Sequence, residues 1–155
     1  LKIAATENLS EEKSTDYEKG MPFAFVEKAG KEIRDIIEDD SALVMNLAGK
    51  GLVILSGCAH SGIVNTVRYA GKLTGISKVH AIMGGFHLAG PAFTAAVAPT
   101  INDLKEINPD YIIPTHCTGR STVAEIERNM PNKFILNMSG TKLTFSSSSE
   151  KKSAS

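Results

Sequence analysis

The chain holds four histidines, and three of them, His60, His87 and His116, each follow closely on one of three successive short apolar runs. Such runs read as buried strands, and in open α/β sheets functional groups gather at the carboxyl ends of strands, where loops turn into helices. Three imidazoles so placed can converge on one point. A borderline cation such as Zn²⁺, Fe²⁺ or Mn²⁺ is held by several donors of this kind from different segments. Cys58 stands two residues before His60, so on an extended backbone both side chains point to the same side and a thiolate could join the imidazoles. A lone histidine at a strand end is usually a hydrogen-bonded loop residue; the coincidence of three points to a metal. His80 lies inside the second run and is read as structural, as is Cys117, a small thiol of the kind common in cores. Ser61 lacks the G-x-S-x-G elbow of a nucleophilic serine and is read as a helix cap, and Asp39-Asp40 as a turn, with a paired acid near a metal site as the alternative.

The elements that must position these residues can be read from periodicity. Residues 42–47, the turn Gly49-Lys50-Gly51 and residues 52–55 form a β-hairpin ending at Gly57. The chain then repeats a unit of strand, small-residue corner and helix. The strand Leu52 to Ser56 leads through Gly57-Cys58-Ala59-His60 into a helix capped by Ser61, with Ile63, Val67 and Ala70 on one face and Gly71 or Gly75 near its end. The strand Lys78 to Met83 ends at Gly84-Gly85-Phe86-His87, and a helix beginning near Pro99 carries Ile101, Leu104 and Ile107. The strand Tyr111 to Pro114 ends at Thr115-His116-Cys117, before a helix capped by Ser121. Phe134-Ile135-Leu136 and Lys142 to Phe145, around the turn Ser139-Gly140, predict a terminal hairpin. Upstream, Leu1 to about Gly20 reads as loop, Phe23, Phe25 and Val26 as a short strand, and Ile33, Ile36 and Ile37 as either a helical turn or a second short strand. Ser146 to Ser155 is Ser/Lys-rich and predicts a disordered tail after a domain spanning 1–145.

Composition narrows the functional classes. With 155 residues, 42% of them hydrophobic, the chain can bury one core but not two, so it is one domain or part of one. Its 17 basic residues balance 17 acidic ones, which argues against a nucleic-acid partner or a polybasic membrane surface. Two cysteines outside a C-x-x-C spacing do not make a disulfide scaffold and suit a reducing, cytoplasmic setting. No run approaches the roughly 20 apolar residues of a membrane span, and a start at Leu1 instead of methionine reads as a cut chain. No strand is followed by G-x-G-x-x-G or a P-loop, so a nucleotide-binding domain is a weak alternative.

The segments Gly51 to Asn65 (G-L-V-I-L-S-G-C-A-H-S-G-I-V-N), Met83 to Leu88 (M-G-G-F-H-L) and Pro114 to Gly119 (P-T-H-C-T-G), with Asp39 to Leu43, closely resemble the C-terminal half of a metallo-β-lactamase-fold family. That family comprises the metallohydrolases similar to 7,8-dihydropterin-6-yl-methyl-4-(β-D-ribofuranosyl)aminobenzene-5′-phosphate synthase. The resemblance runs from about Asp16 to Phe145. It implies half of an αββα sandwich, βαβαβα followed by a hairpin, with a mono- or dinuclear metal site at one edge, and hydrolysis of an ester, phosphodiester or related bond. It also implies that His116 and His60 are metal-site residues, with Cys58 and His87 as further candidates. The metal is expected to be zinc, with iron or manganese as alternatives. The superfamily motif H-x-H-x-D-H is absent, since no histidine precedes His60. The chain is therefore expected to hold metal weakly on its own, to act on a small-molecule substrate only in company, and to expose an apolar sheet face. That face is expected to meet the missing N-terminal half or a second copy; a non-catalytic interaction module using it is the alternative.

Overall fold

The run from Leu52 to Leu55 is apolar at every position, which is how a strand reads when both its faces are buried. The computed structural model describes residues 2–4, 15–18, 24–35, 37 and 40–147. In it this run lies in β5 (Gly51–Ser56), at the middle of a five-stranded sheet. One neighbour is β4 (Ser41–Leu47), antiparallel, with Leu43 opposite Leu55 and Met45 opposite Val53. The other is β6 (Val79–Gly84), parallel, and beyond it lies β7 (Tyr111–Pro114), also parallel. Parallel neighbours need crossovers. These are α1 (Ile63–Thr74) between β5 and β6, and α2 (Thr94–Ile107) between β6 and β7; α3 (Arg120–Asn129) follows β7. The hairpin and the three strand–helix units are those the sequence predicts.

These three helices cover one face of the sheet. Ile63, Val64 and Val67 of α1, Ile101 and Leu104 of α2 and Ile126 of α3 join Leu52, Ile54, Ile82 and Ile112 in one buried cluster. The opposite face carries Val53, Ala81 and Ile113, partly covered by Ile135, Leu143 and Phe145. Toward β4 that cover ends, and Leu43, Met45 and Leu55 are each about 40% exposed. Among the described residues the sheet and this helical layer make up two layers. Among the described residues no helix is long and apolar enough to cross a membrane.

Several expectations are corrected. Lys2–Ala4, expected as loop, forms β1 and pairs antiparallel with β4, a match too short to give a period. The rest of the expected loop is described only at 15–18, and Phe23, Ile36 and most of the tail (148–155) lie outside the described residues. Of the open choice around Ile33, the strand is correct: β2 (Phe25–Lys28) and β3 (Lys31–Arg34) form a separate antiparallel pair. Helix α2 starts at Thr94, five residues before Pro99, which sits inside it. The stretch from Thr94 to Ala98 is poor in long apolar side chains, so its helical face was hidden. Pro99 forfeits one i to i−4 hydrogen bond, and the burial of Ala96, Ile101 and Leu104 offsets the loss. The expected terminal hairpin does not form a ladder among the described residues. Instead the chain runs beside β7, with the Ile112 N–H donating to Lys133 O at 2.8 Å and the Ile135 N–H to Ile112 O at 2.9 Å.

The two expected serine caps are also replaced. Gly119, not Ser121, is the N-cap of α3, and Gly62, not Ser61, that of α1. The free amides of α1 are met by a distant carboxylate: Glu18 accepts from the Val64 N–H at 3.0 Å and the Asn65 N–H at 2.8 Å. An anion is favoured there by the helix dipole. Burial nevertheless outweighs these bonds and raises the Glu18 carboxyl from 4.5 to about 7. Because the folded value is the higher one, Glu18 contributes stability that is fully present below about pH 4.5 and is lost as pH rises through about 7. The loss is up to about 3 kcal/mol. Glu18→Gln keeps an acceptor and cannot ionise, so urea unfolding midpoints should fall less between pH 5 and pH 8 in the variant than in the parent chain. Equal falls would contradict the assignment.

Candidate metal centre

The carboxyl ends of β5, β6 and β7 are neighbours in the sheet, so the loops leaving them must meet. Backbone bonds continue the ladder into these loops: the Gly85 N–H donates to Gly57 O at 2.9 Å, the Thr115 N–H to Gly84 O at 2.8 Å and the Leu88 N–H to Cys117 O at 3.1 Å. Thr118 Oγ1 accepts from the Phe86 N–H, and Thr122 Oγ1 donates to Leu88 O, which ties α3 to the loop after His87. Each loop also holds one non-glycine residue in the left-handed region: Ala59 at φ 55°, His87 at 48° and Cys117 at 53°. Each such residue costs about 1 kcal/mol or more, and conformations of this kind persist where surrounding structure over-determines them, as at functional sites.

The donors fall into two groups. In the first, Cys58 Sγ lies 3.2 Å from His116 Nε2, and the ligand atoms of Cys58, His116 and Cys117 all lie within 4.8 Å of one another. Thr115 Oγ1 stands 3.1 Å from His116 Nδ1, leaving Nε2 toward the thiols. In the second, the rings of His60 and His87 meet edge to face with centroids 4.5 Å apart. Asp40 anchors this group, accepting from the Ser61 N–H at 2.9 Å and standing 4.0 Å from His60 Nδ1. The Nδ1 atoms of His60 and His87 are buried and make no hydrogen bond. Burial, reinforced by His60 and opposed by Asp40, lowers the His87 pKa, which favours the neutral imidazole that ligates metal. Burial, only partly offset by a hydrogen bond from the His87 backbone, pushes the Cys117 thiol up to about 11.

All four expected site residues thus stand on adjoining loops, Cys58 and His116 in one group, His60 and His87 in the other. Unpartnered buried imidazole nitrogens and a thiol–imidazole contact suit a divalent cation. One neighbour of the donors, Cys117, was missed. Cys117 was read as structural, although its place beside His116 at a strand end was the available signal. Of the two readings of Asp39-Asp40, Asp39 lies outside the described residues and Asp40 stands beside the second group, because an antiparallel hairpin brings the start of β4 beside the end of β5. His80 is structural as expected: Nδ1 lies 2.6 Å from Asp110, and Tyr111 and Phe145 pack edge-on against the ring. A groove of about 680 Å³ between α2 and α3 is lined by Leu88, Val97, Ile101 and Glu125, and none of the donor side chains borders it.

Gly84 lets β6 lie close to β5, and Gly85 makes room for the first group. Gly84 adopts φ 121°, and a Cβ there would lie 2.1 Å from Ser56 O. A Cβ on Gly85 would lie 2.5 Å from Cys117 Sγ, 2.9 Å from Gly57 O and 3.0 Å from His116 Nε2. Gly85→Ala is therefore expected to destabilise the fold by about 1–3 kcal/mol, as overpacking does. A urea unfolding curve checks this, and an unchanged midpoint would show that the loops are less closely joined than described.

No family model matches the chain. Two curated proteins of Methanocaldococcus jannaschii are similar to it. One, 7,8-dihydropterin-6-methyl-4-(β-D-ribofuranosyl)-aminobenzene-5′-phosphate synthase, is 42% identical over 90 residues, covering 58% of this chain and 30% of that protein. The other, uncharacterized protein MJ0448, is 36% identical over 108 residues, covering 70% and 38%. The crystal structure of Tm1679, a metal-dependent hydrolase of the β-lactamase superfamily, is similar with a TM-score of 0.70 and 30% identity, over 79% of this chain and 46% of that one. The chain thus spans about a third of the length of the curated relatives it matches.

Proposed function

We propose that this chain, which is similar in fold to a metal-dependent hydrolase of the β-lactamase superfamily and in sequence to the M. jannaschii synthase, is the C-terminal portion of a metal-dependent hydrolase. The observation that carries this is the meeting of Cys58, His60, His87 and His116 on three adjoining strand-end loops, with two buried imidazole nitrogens unpartnered. His60 and His87 would supply donors on one side and Cys58 and His116 on the other. The remaining donors would come from a segment bearing H-x-H-x-D-H, which these 155 residues lack. A bound zinc-type cation lowers the pKa of its water to about 7 and polarises the bond under attack.

The residues of this chain then have separable tasks. Asp40 fixes the loop that carries His60, through the Ser61 N–H, and places a negative charge 4.0 Å from the ring. Phe93 and the buried Phe86 flank His87 and keep water from its inner side. The substrate would be a small ester or phosphoester. The partly exposed Leu43, Met45 and Leu55 are assigned to the segment that completes the sandwich, because they continue the apolar face already covered at Val53 and Ile113.

The direct check is the coding sequence upstream of Leu1, or of a neighbouring gene, in the source genome. The reading predicts H-x-H-x-D-H there. If neither encodes it, the hydrolase reading fails and a non-catalytic module remains, which would purify as a stable, metal-free dimer.

A further inference from the structure

We infer that Cys58 and Cys117 form a thiol-modification site, a peroxide-oxidisable pair in which Cys58 is oxidised first and Cys117 closes on it as an intramolecular disulfide. The chain has only two cysteines, 59 positions apart, and the fold sets their sulfurs within 4.8 Å of each other. Both are free thiols and both are half-buried, so a small oxidant reaches them. A disulfide needs about 2 Å between sulfurs, a closure within the reach of side-chain rotation and a small loop adjustment. Cys117 has no part in the hydrolase reading, whereas Cys58 does; that the disulfide switches hydrolysis off rests on that reading, and the pair itself does not.

Three features separate the pair from a chance contact of thiols. Cys117 is held with φ 53° while its carbonyl accepts from the Leu88 and Ala89 N–H groups, and its Sγ already rests 3.6 Å from Cys58 O. Gly85 keeps the space around that sulfur open, since a Cβ there would lie 2.5 Å from it. His116 Nε2 lies 3.2 Å from Cys58 Sγ, where it can take the thiol proton and leave the thiolate, the nucleophilic form. The steps then balance. Cys58 sulfur attacks hydrogen peroxide, an S–O bond forms as the O–O bond breaks, and the departing hydroxide leaves as water with the proton held by His116. Cys117 sulfur attacks the resulting sulfenic acid; the S–S bond forms, the S–O bond breaks, and the hydroxyl leaves as a second water with the Cys117 proton. Two thiols are oxidised by two electrons and one peroxide is reduced to two waters. A dithiol reductant reverses the change by exchange, itself becoming a disulfide. Disulfides of this kind, transient and sensing, are the ones found where thiols are otherwise kept reduced.

The test treats the reduced full chain, with a chelator present, with a small excess of hydrogen peroxide, then blocks remaining thiols with iodoacetamide and reads the products by mass. The expected product is a monomer that has lost two hydrogens, takes up no iodoacetamide and yields one peptide pair joined through Cys58 and Cys117. A dithiol should restore both thiols. In Cys117→Ser the reaction should stop at the Cys58 sulfenic acid, trapped by dimedone, and His116→Ala should slow the first step by about tenfold or more, the lower end of what a proton acceptor contributes. A parent chain whose two cysteines both remain open to iodoacetamide, a disulfide that joins two chains instead of closing within one, or dimedone trapping that is as strong in the parent as in Cys117→Ser would overturn the proposal. The first two of these outcomes need no variant. The hydrolase reading fails separately: a completed protein that closes the disulfide and hydrolyses nothing when reduced would sink that reading and leave the pair standing. An active completed protein that closes the disulfide should lose its hydrolysis on oxidation and regain it with the dithiol, and turnover unchanged by closure would overturn the switch.

Discussion

His116→Ala is expected to lower hydrolysis by the completed enzyme by roughly a thousandfold or more, with little change in the stability of the fold. The magnitude follows from the task assigned to the residue. Metal activation of water and of the scissile bond is worth several kcal/mol at the transition state, and each 1.36 kcal/mol is tenfold in rate. The small effect on stability follows from position. His116 is exposed, and its ring touches Cys58 and Thr115 without entering either hydrophobic cluster. Steady-state rates beside urea unfolding curves separate the two effects. A variant that unfolds earlier in proportion to its lost activity would make His116 a structural residue instead.

Phe86→Ala should show the reverse pattern, a loss of about 3–5 kcal/mol of folding stability. Phe86 is 1% exposed and belongs to the cluster under the helices, while its neighbours Gly85 and His87 line the two donor groups. Removing the ring opens a cavity directly beneath the loop that must hold His87 at φ 48°. A domain of this size is stable by only about 5–15 kcal/mol, so the variant should be substantially unfolded at body temperature or in low urea. Leu55→Ala supplies the contrast. Leu55 is 38% exposed on the far face and should lose under half as much. Equal losses would mean that the far face is covered more completely than the structure shows.

The sequence carried the strand–helix repeat because β5, β6 and β7 are buried on both faces, and continuous apolar runs ending in glycine-rich corners survive as a local signal. That same repeat placed His60, His87, His116 and Cys58 at one end of the sheet. What it could not carry was contact across distance. Glu18 caps a helix that begins 45 residues later, and no local pattern announces such a bond. Asp40 reaches the His60 loop only through the hairpin register. Cys117 resembles any small core residue until the loop after β6 is seen bonded to its carbonyl. The terminal run failed for another reason. Apolar residues at Ile135, Leu143 and Phe145 do face the sheet, but they cover it from a segment that pairs with β7 only around Ile112, so apolar content mimicked a hairpin.

The central claim, that this chain is the C-terminal portion of a metal-dependent hydrolase, is tested most directly by joining it to the H-x-H-x-D-H segment of its own source. Hydrolysis of bis(p-nitrophenyl) phosphate and p-nitrophenyl acetate would then be followed with and without Zn²⁺. The account predicts turnover by the joined protein, none by either part alone, and loss of turnover on chelation. A folded, zinc-loaded joined protein that hydrolyses neither compound, or turnover that survives complete removal of the metal, would contradict it.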